Sequence, residues 1–324
     1  MNVIPGTFEE LEFIKNETGQ KLVWTAPFML PSWLKVWWSY FGERKGKFIR
    51  IVKEGTEVIG VAPMMREGNV VSFIGSIDVC DYEDFIVFPG KEKQFFTAFL
   101  NDMRINDVTD VDLKHVRPDS LVMNALKETA SEKGLIFTSE KEEVSFEMIL
   151  PDTFDAYIES LNTKQRHEVR RKLRRLNEEG ATEYHFISQG PELKEALETF
   201  FRMFVESRED KAAFLTDSMK QYFRAIVAAV ADEGILRLGV LELDKRPVAE
   251  ILCFEYNNCL YLYNSGYDPK YVGLSAGVLS KILAIKYCIE KGIKKFDFLK
   301  GAEPYKAHIG GQEVSLFHCR IKVK

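Results

Sequence analysis

The chain has few of the residues that build metal centres or covalent cross-links. Five cysteines (Cys80, Cys253, Cys259, Cys288 and Cys319) are spread over 324 residues with no C-x-x-C spacing. Disulfide scaffolds and zinc ribbons are therefore not expected, and buried free thiols in a reducing compartment are. The five histidines are equally dispersed, so no metal site is expected. No apolar run approaches the roughly 18 residues of a membrane span. The start, MNVIPGTFEELEF, lacks a basic segment followed by an apolar core, and a cytoplasmic location is expected. Positive charge is not in excess either: 44 Lys and Arg stand against 49 Asp and Glu, a net charge of -5 that argues against a DNA partner. What remains, 46% hydrophobic and 29% charged, is a globular mix long enough for two domains.

The stretch Cys259 to Lys306 organises the chain. Leu260 and Leu262 alternate with Tyr261 and Tyr263, the period of a strand. Val278, Ile282, Ile285 and Ile289 recur at helical spacing, Gly292 stands at a helix stop, and Lys294 to Leu299 returns as an apolar strand. Between strand and helix lies Lys270 to Gly277, small residues at a helix entrance, where backbone N-H groups can face an anion.

Lys270-x-x-Gly273-x-Ser275, followed by Ala276 and Gly277, resembles the acyl-CoA pyrophosphate loop of GNAT acyltransferases, with Lys in place of the usual Arg or Gln and Ser in place of the last small residue. Together with YDPKY, Gly292 and F-D-F-L-K-G-x-E-x-Y-K, it resembles the second half of CelD/BcsL-type acetyltransferases, relatives of the Fem peptidyltransferases. The resemblance implies an acyl-CoA, acetyl-CoA above all, as co-substrate held by Lys270, Gly273, Leu274, Ser275, Ala276 and Gly277. It also implies a base from Asp268 or Glu250, a tyrosine acid from Tyr261 or Tyr263, and a cluster of Asp297, Glu303, Tyr305 and Lys306 across the cleft. By pattern alone, Glu250 on an apolar strand face fits a cleft or a salt bridge. Asp297 fits catalysis or a carboxylate buried under loop N-H groups.

An earlier segment repeats the order. Phe48 to Val52 and Val58 to Met64 form a hairpin, Val70 to Ile74 a third strand, Gly75 to Asp84 a loop, Glu92 to Arg104 a helix and Val108 to Val116 a strand, with Asp112 matching Asp297. The expected fold is thus α/β (α+β): two tandem GNAT-like domains, each a mixed, mostly antiparallel sheet flanked by helices, over residues 1-148 and 149-324. The first copy carries DVCDYEDFIVFPG where the second has its phosphate loop, so acyl-CoA is expected on the second alone. The PSWLKVWWSYFG stripe is expected in the core.

Between the copies, KQRHEVRRKLRR (164-175) reads as a helix capped by Asn162 or Thr163, with a seam of Val169, Leu173 and Leu176. Its basic residues are a solvated face or an anion site. The resemblance favours the latter, with Arg166 and Arg170 on the substrate alongside Tyr261, Glu303, Tyr305 and Lys306. The function so implied is acyl transfer from acyl-CoA to an amine or hydroxyl of an anionic, envelope-related small molecule. The alternatives are a Fem-like transferase using aminoacyl-tRNA, the one reading with a tRNA partner, and a non-catalytic protein of the same fold.

Overall fold

Alternating apolar residues in each half build a sheet, and the helical stretches between them cover its faces. The computed structural model describes residues 1-18, 22-75 and 78-324. They divide into two units, Met1-Val144 with Val314-Lys324, and Ser145-Glu313.

The first unit contains β1 (Asn2-Pro5), α1 (Phe8-Thr18), α2 (Pro31-Phe41), β2 (Gly46-Glu54), β3 (Glu57-Glu67), β4 (Val70-Phe73), β5 (Ile86-Val87), α3 (Glu92-Ile105) and β6 (Asp110-Val116). A π turn, Val122-Leu126, then runs into α4 (Lys127-Glu132), and β7 (Ile136-Ile149) follows. The strands lie in the order β1-β2-β3-β4-β6, antiparallel except for the parallel pair β4 and β6. The C-terminal strand Gln312-Lys322 completes the row against β6. Its pairing gives β6 a second partner instead of an open edge, so the chain end, expected in the second domain, belongs to the first unit. Phe85 centres the core, with the rings of Phe73, Phe95, Phe96 and Phe99 at 5.0 to 5.8 Å and edge-on. Trp33 and Trp37 are fully buried, as a core stripe requires. The expected loop 75-84 includes residues 76-77, which lie outside the described residues. At its end the Asp84 carboxylate is structural, accepting from the N-H groups of Phe85 (2.9 Å) and Leu121 (2.8 Å).

The second unit contains α5 (Phe154-Ser160), α6 (Thr163-Glu179), β8 (Thr182-Ile187), α7 (Glu192-Ser207), α8 (Glu209-Phe214), α9 (Asp217-Asp232), β9 (Leu236-Leu243), β10 (Arg246-Tyr256) and β11 (Cys259-Tyr267). A 3-10 turn, Pro269-Leu274, leads to α10 (Ala276-Glu290), β12 (Lys295-Lys300) and α11 (Pro304-His308); the C-terminal strand is β13. The order is β8-β9-β10-β11-β12, antiparallel except for the parallel pair β11 and β12, and the end of β7 closes it against β12. This is the first unit's topology again, as the repeated sequence order implies. Asn162 caps α6 through a capping box with Gln165, each side chain meeting the other's backbone N-H at 3.0 Å.

All five cysteines are free and buried. No helix among the described residues is long and apolar enough to cross a membrane.

Candidate active site

The second sheet opens at one place. β11 pairs with β12 only from Cys259-Lys295 to Tyr261-Asp297. Beyond that step β11 stays with β10 as far as Tyr267, while β12 stays with β7 through Lys300. A bulge on each strand bends them apart. On β11 the extra residue is Tyr263, and on β12 it is Phe298, followed by Leu299 at φ +57°. Asp297, fully buried, accepts from the Leu299 N-H at 2.9 Å and so holds the second bulge. Its carboxylate shapes the fork.

Three lysines surround that fork. The Lys306 ammonium is 2% exposed and donates to the carbonyls of Leu299 (3.0 Å), Lys300 (2.6 Å) and Gly301 (3.1 Å), with the Glu303 carboxylate at 3.0 Å. Its hydrogens are committed to the chain's own turn. Lys281 is 4% exposed and donates to the Gly277 carbonyl one turn back at 2.6 Å, under the ring of Tyr305 at 5.0 Å. Lys211 reaches from α8 to the Ser265 carbonyl, across the Phe204 ring. Burial, reinforced by the charges of Lys211 and Lys306, draws Lys281 down to about 7. Burial and the Arg208 charge draw Lys211 down to about 8, against the opposing fields of Asp210 and Glu303. Burial works against ionisation of Glu303, but Lys306 outweighs it and keeps the carboxyl below its usual range. Burial pushes the Tyr305 phenol up.

Lys281 was legible in principle. It interrupts the apolar seam of α10 at i+3 from Val278 and i-4 from Ile285, a position where a charge is out of place. Lys211 stands in a run of charges, Arg208 to Lys211, that reads as solvated; Arg208 and Asp210 do pair at the surface, at 2.7 Å, but Lys211 turns inward.

The stretch 268-277, expected to hold acyl-CoA, is a 3-10 turn leading into α10. Asp268 caps the 3-10 turn by accepting from the Lys270 N-H at 2.9 Å. Lys270 and Gly273 are exposed, and Leu274 and Ser275 half-buried. Ser275 adopts φ +60° to enter α10, leaving Ala276 and Gly277 in the first turn, where N-H groups have no partner inside the helix. A Cβ at Gly273 would meet nothing within 4 Å. Beside the loop, a cleft of ≈ 470 Å³ is lined by Lys164, Lys172, Glu168 and His308 and by the aliphatic Val169, Val278, Ile282 and Ile309; Lys172 pairs with Glu168 at 3.3 Å. A lysine and a helix entrance beside an aliphatic slot suit a phosphate-bearing thioester with a long flexible arm, so these residues fit acyl-CoA.

The remaining candidates are engaged in other contacts or buried in the sheet. Arg166 donates to the Glu159 and Leu161 carbonyls at 3.0 and 3.1 Å, and Arg166 and Arg170 both meet the Glu159 carboxylate at 2.7 Å. These arginines fasten α6 to the end of α5. Tyr261 is buried at the last paired step of the fork, and Tyr263 packs between Phe254 (5.0 Å) and Phe223 (5.7 Å). Glu250 is 1% exposed with neither oxygen hydrogen-bonded, and burial, opposed by the field of Arg202, pushes it up to about 8. Among the described residues no group of three or more His, Cys, Asp or Glu could hold a metal.

Residues 163-307 match the acetyltransferase (GNAT) domain family. That stretch contains the 268-277 loop, the fork and all three lysines, and it supports an acyltransferase of the N-acetyltransferase class. No curated protein matches the chain. Among solved structures, FemX superposes with a TM-score of 0.67 at 14% identity, over 98% of this chain and 97% of its own. L-PGS from Bacillus licheniformis gives 0.60 at 11%, over 98% and 92%. A tandem GNAT protein from the clavulanic acid pathway gives 0.52 at 10%, over 100% and 98%. At these identities the likeness is one of fold: both units belong to a tandem GNAT-like architecture.

Proposed function

We propose that the second unit transfers an acyl group from acyl-CoA to an amine or hydroxyl at the β11-β12 fork. The observation that carries this is the pair of half-buried Lys211 and buried Lys281, beside a strand fork and a small-residue helix entrance with too little negative charge around them. When bound, acyl-CoA supplies a thioester carbon open to attack and a thiolate leaving group. Lys164 and the first turn of α10 hold its phosphates, and Val278 and Ile282 bound its arm. Lys281 and Lys211 place positive charge where negative charge develops. With a pKa near 7, Lys281 can also take the acceptor's proton and return it to the departing sulfur.

An anionic acceptor follows from the same lysines rather than from Arg166 and Arg170, whose guanidinium groups are taken by Glu159. Arg208, Lys211 and Lys281 leave net positive charge at the fork after Glu303 and Asp210 are counted, and a carboxylate or phosphate beside the reacting amine balances it. An envelope glycan precursor is such an acceptor, and it is the class that the CelD and Fem resemblance implies. A second reading, aminoacyl transfer from charged tRNA, draws on the same cations, which would then meet a phosphodiester.

Titrating acetyl-CoA into the intact chain and its Gly273→Trp variant separates them. Gly273 has open space around it, so the variant folds and blocks the loop. Micromolar binding by the wild type, weakened at least about tenfold in the variant, supports the acyl-CoA reading. No binding, with charged tRNA bound instead, transfers the assignment to the second reading.

A further inference from the structure

The α7 face of the second sheet carries a row of opposed residues. His185 on β8 faces Val240 on β9, Val240 faces Glu250 on β10, and Glu250 faces Gly266 on β11. Opposed residues point to the same side of a sheet. His185 and Glu250 therefore flank Val240 from strands two apart, roughly 10 Å. Over this row lies a cavity of ≈ 450 Å³, bounded by Glu192, Glu195 and Thr199 of α7 and by Glu242 and Pro247. No lysine or arginine lines it.

Acidic walls alone do not make a site, since exposed carboxylates are well solvated. The informative groups are the buried ones. Glu250 is 1% exposed, lines the cavity, and has no hydrogen bond to either oxygen. Nδ1 of His185 is likewise buried without a partner. Arg202, the cation whose field reaches Glu250, donates instead to Glu206 at 3.1 Å. A carboxyl group sealed from water with no donor is unfavourable by several kcal/mol when ionised, and a ligand carrying its own N-H donors and positive charge removes that penalty. A metal ion fits poorly, because no set of three ligating side chains converges among the described residues. Carboxylates spread along a cavity suit charges spread along a chain.

We propose that this cavity binds an aliphatic amine of the diamine or polyamine class, with one primary ammonium anchored on Glu250 and His185 and further ammonium groups drawn by Glu192, Glu195 and Glu242. The site needs no acyl donor and does not depend on the acyl-transfer reading. The charged and titratable groups facing Glu250 are His185 from β8, Glu192, Glu195 and Arg202 from α7, and Glu242 from β9. Burial holds Glu250 protonated up to about pH 8 in the free protein. An ammonium group restores its ionisation, so binding releases a proton and tightens as pH rises.

The test is calorimetric titration of putrescine and spermidine into the full chain without acyl donor, at pH 6.5 and 8.5, with 1,4-butanediol as the uncharged mimic. Spermidine is expected to bind more tightly than putrescine, both about tenfold more tightly at the higher pH, and the diol not at all. Glu250→Gln should weaken spermidine at least about tenfold. Glu195→Gln, at an exposed position that folding tolerates, should weaken it about threefold. No heat with either amine, equal binding by the Glu250→Gln chain, or binding of the diol would overturn the proposal and leave Glu250 as a neutral internal acid.

Discussion

In the first unit, buried charge is answered from within. The Arg50 guanidinium meets the Asp102 carboxylate at 2.9 Å, and Asp84, pushed up to about 7 by burial, still has both oxygens engaged by backbone N-H groups. In the second unit, Lys281 is buried on one backbone carbonyl of its own helix, and Glu250 on none. The two share a strand order and a parallel step at the same place in it, so topology does not explain the contrast. A buried ionisable group without a full set of partners is costly when charged, and such groups are candidates for meeting a ligand's charge. On this ground the proposed ligand sites are placed in the second unit.

Substitutions can break that comparison. The largest effect is expected at Lys281. Lys281→Met should lower acetyl-CoA-dependent turnover by about a hundredfold to a thousandfold while leaving the urea midpoint unchanged or raised, because a buried, poorly paired charge is replaced by an apolar chain of similar length. A matching loss of stability would make Lys281 a structural residue. Arg50→Met in the first unit should behave oppositely. It strands the Asp102 carboxylate and should lower unfolding free energy by about 3 kcal/mol, with acetyl-CoA affinity in the folded chain unaltered.

A smaller effect concerns pH. The pKa of Glu250 is about 8 in the folded chain, far above that of an exposed glutamate. The native state therefore holds the extra proton between about pH 5 and 8, and stability from this group is lost as pH rises through that window, at up to about 1.4 kcal/mol per pH unit. Lys281 acts in the reverse sense above about pH 7, since its folded pKa is lowered. Urea midpoints at pH 5.5, 6.5 and 7.5 should fall more steeply for the wild type than for Glu250→Gln. Parallel curves would show that Glu250 finds a partner in solution.

Much of the fold was legible because its signals are local. The hairpin around Gly55, the strand at Cys259 and the seam of α10 each declare a period within a dozen residues. What escaped depends on distant chain. β7 and β8 carry charged or mixed faces, and the C-terminal strand takes its place only because β6 needs a partner. The site divided in the same way. The helix entrance at Ser275 shows in its small residues, whereas the fork arises from two bulges that no motif announces. Lys306, conspicuous in its motif, is tied to its own turn, while the less conspicuous Lys211 and Lys281 keep charge to offer.

The central claim is that an acyl donor held at the first turn of α10 answers the charge of Lys281, whose ammonium touches the Gly277 carbonyl there, and proton uptake tests it most directly. Acetyl-CoA binding should be measured by calorimetry at pH 7.5 in two buffers of different ionisation enthalpy, for the wild type and Lys281→Arg. A pyrophosphate at that helix entrance raises the pKa of Lys281, so wild-type binding should take up a proton in part, and the always-charged arginine should take up less. Binding with no proton uptake, or with the same uptake in both chains, would contradict the claim.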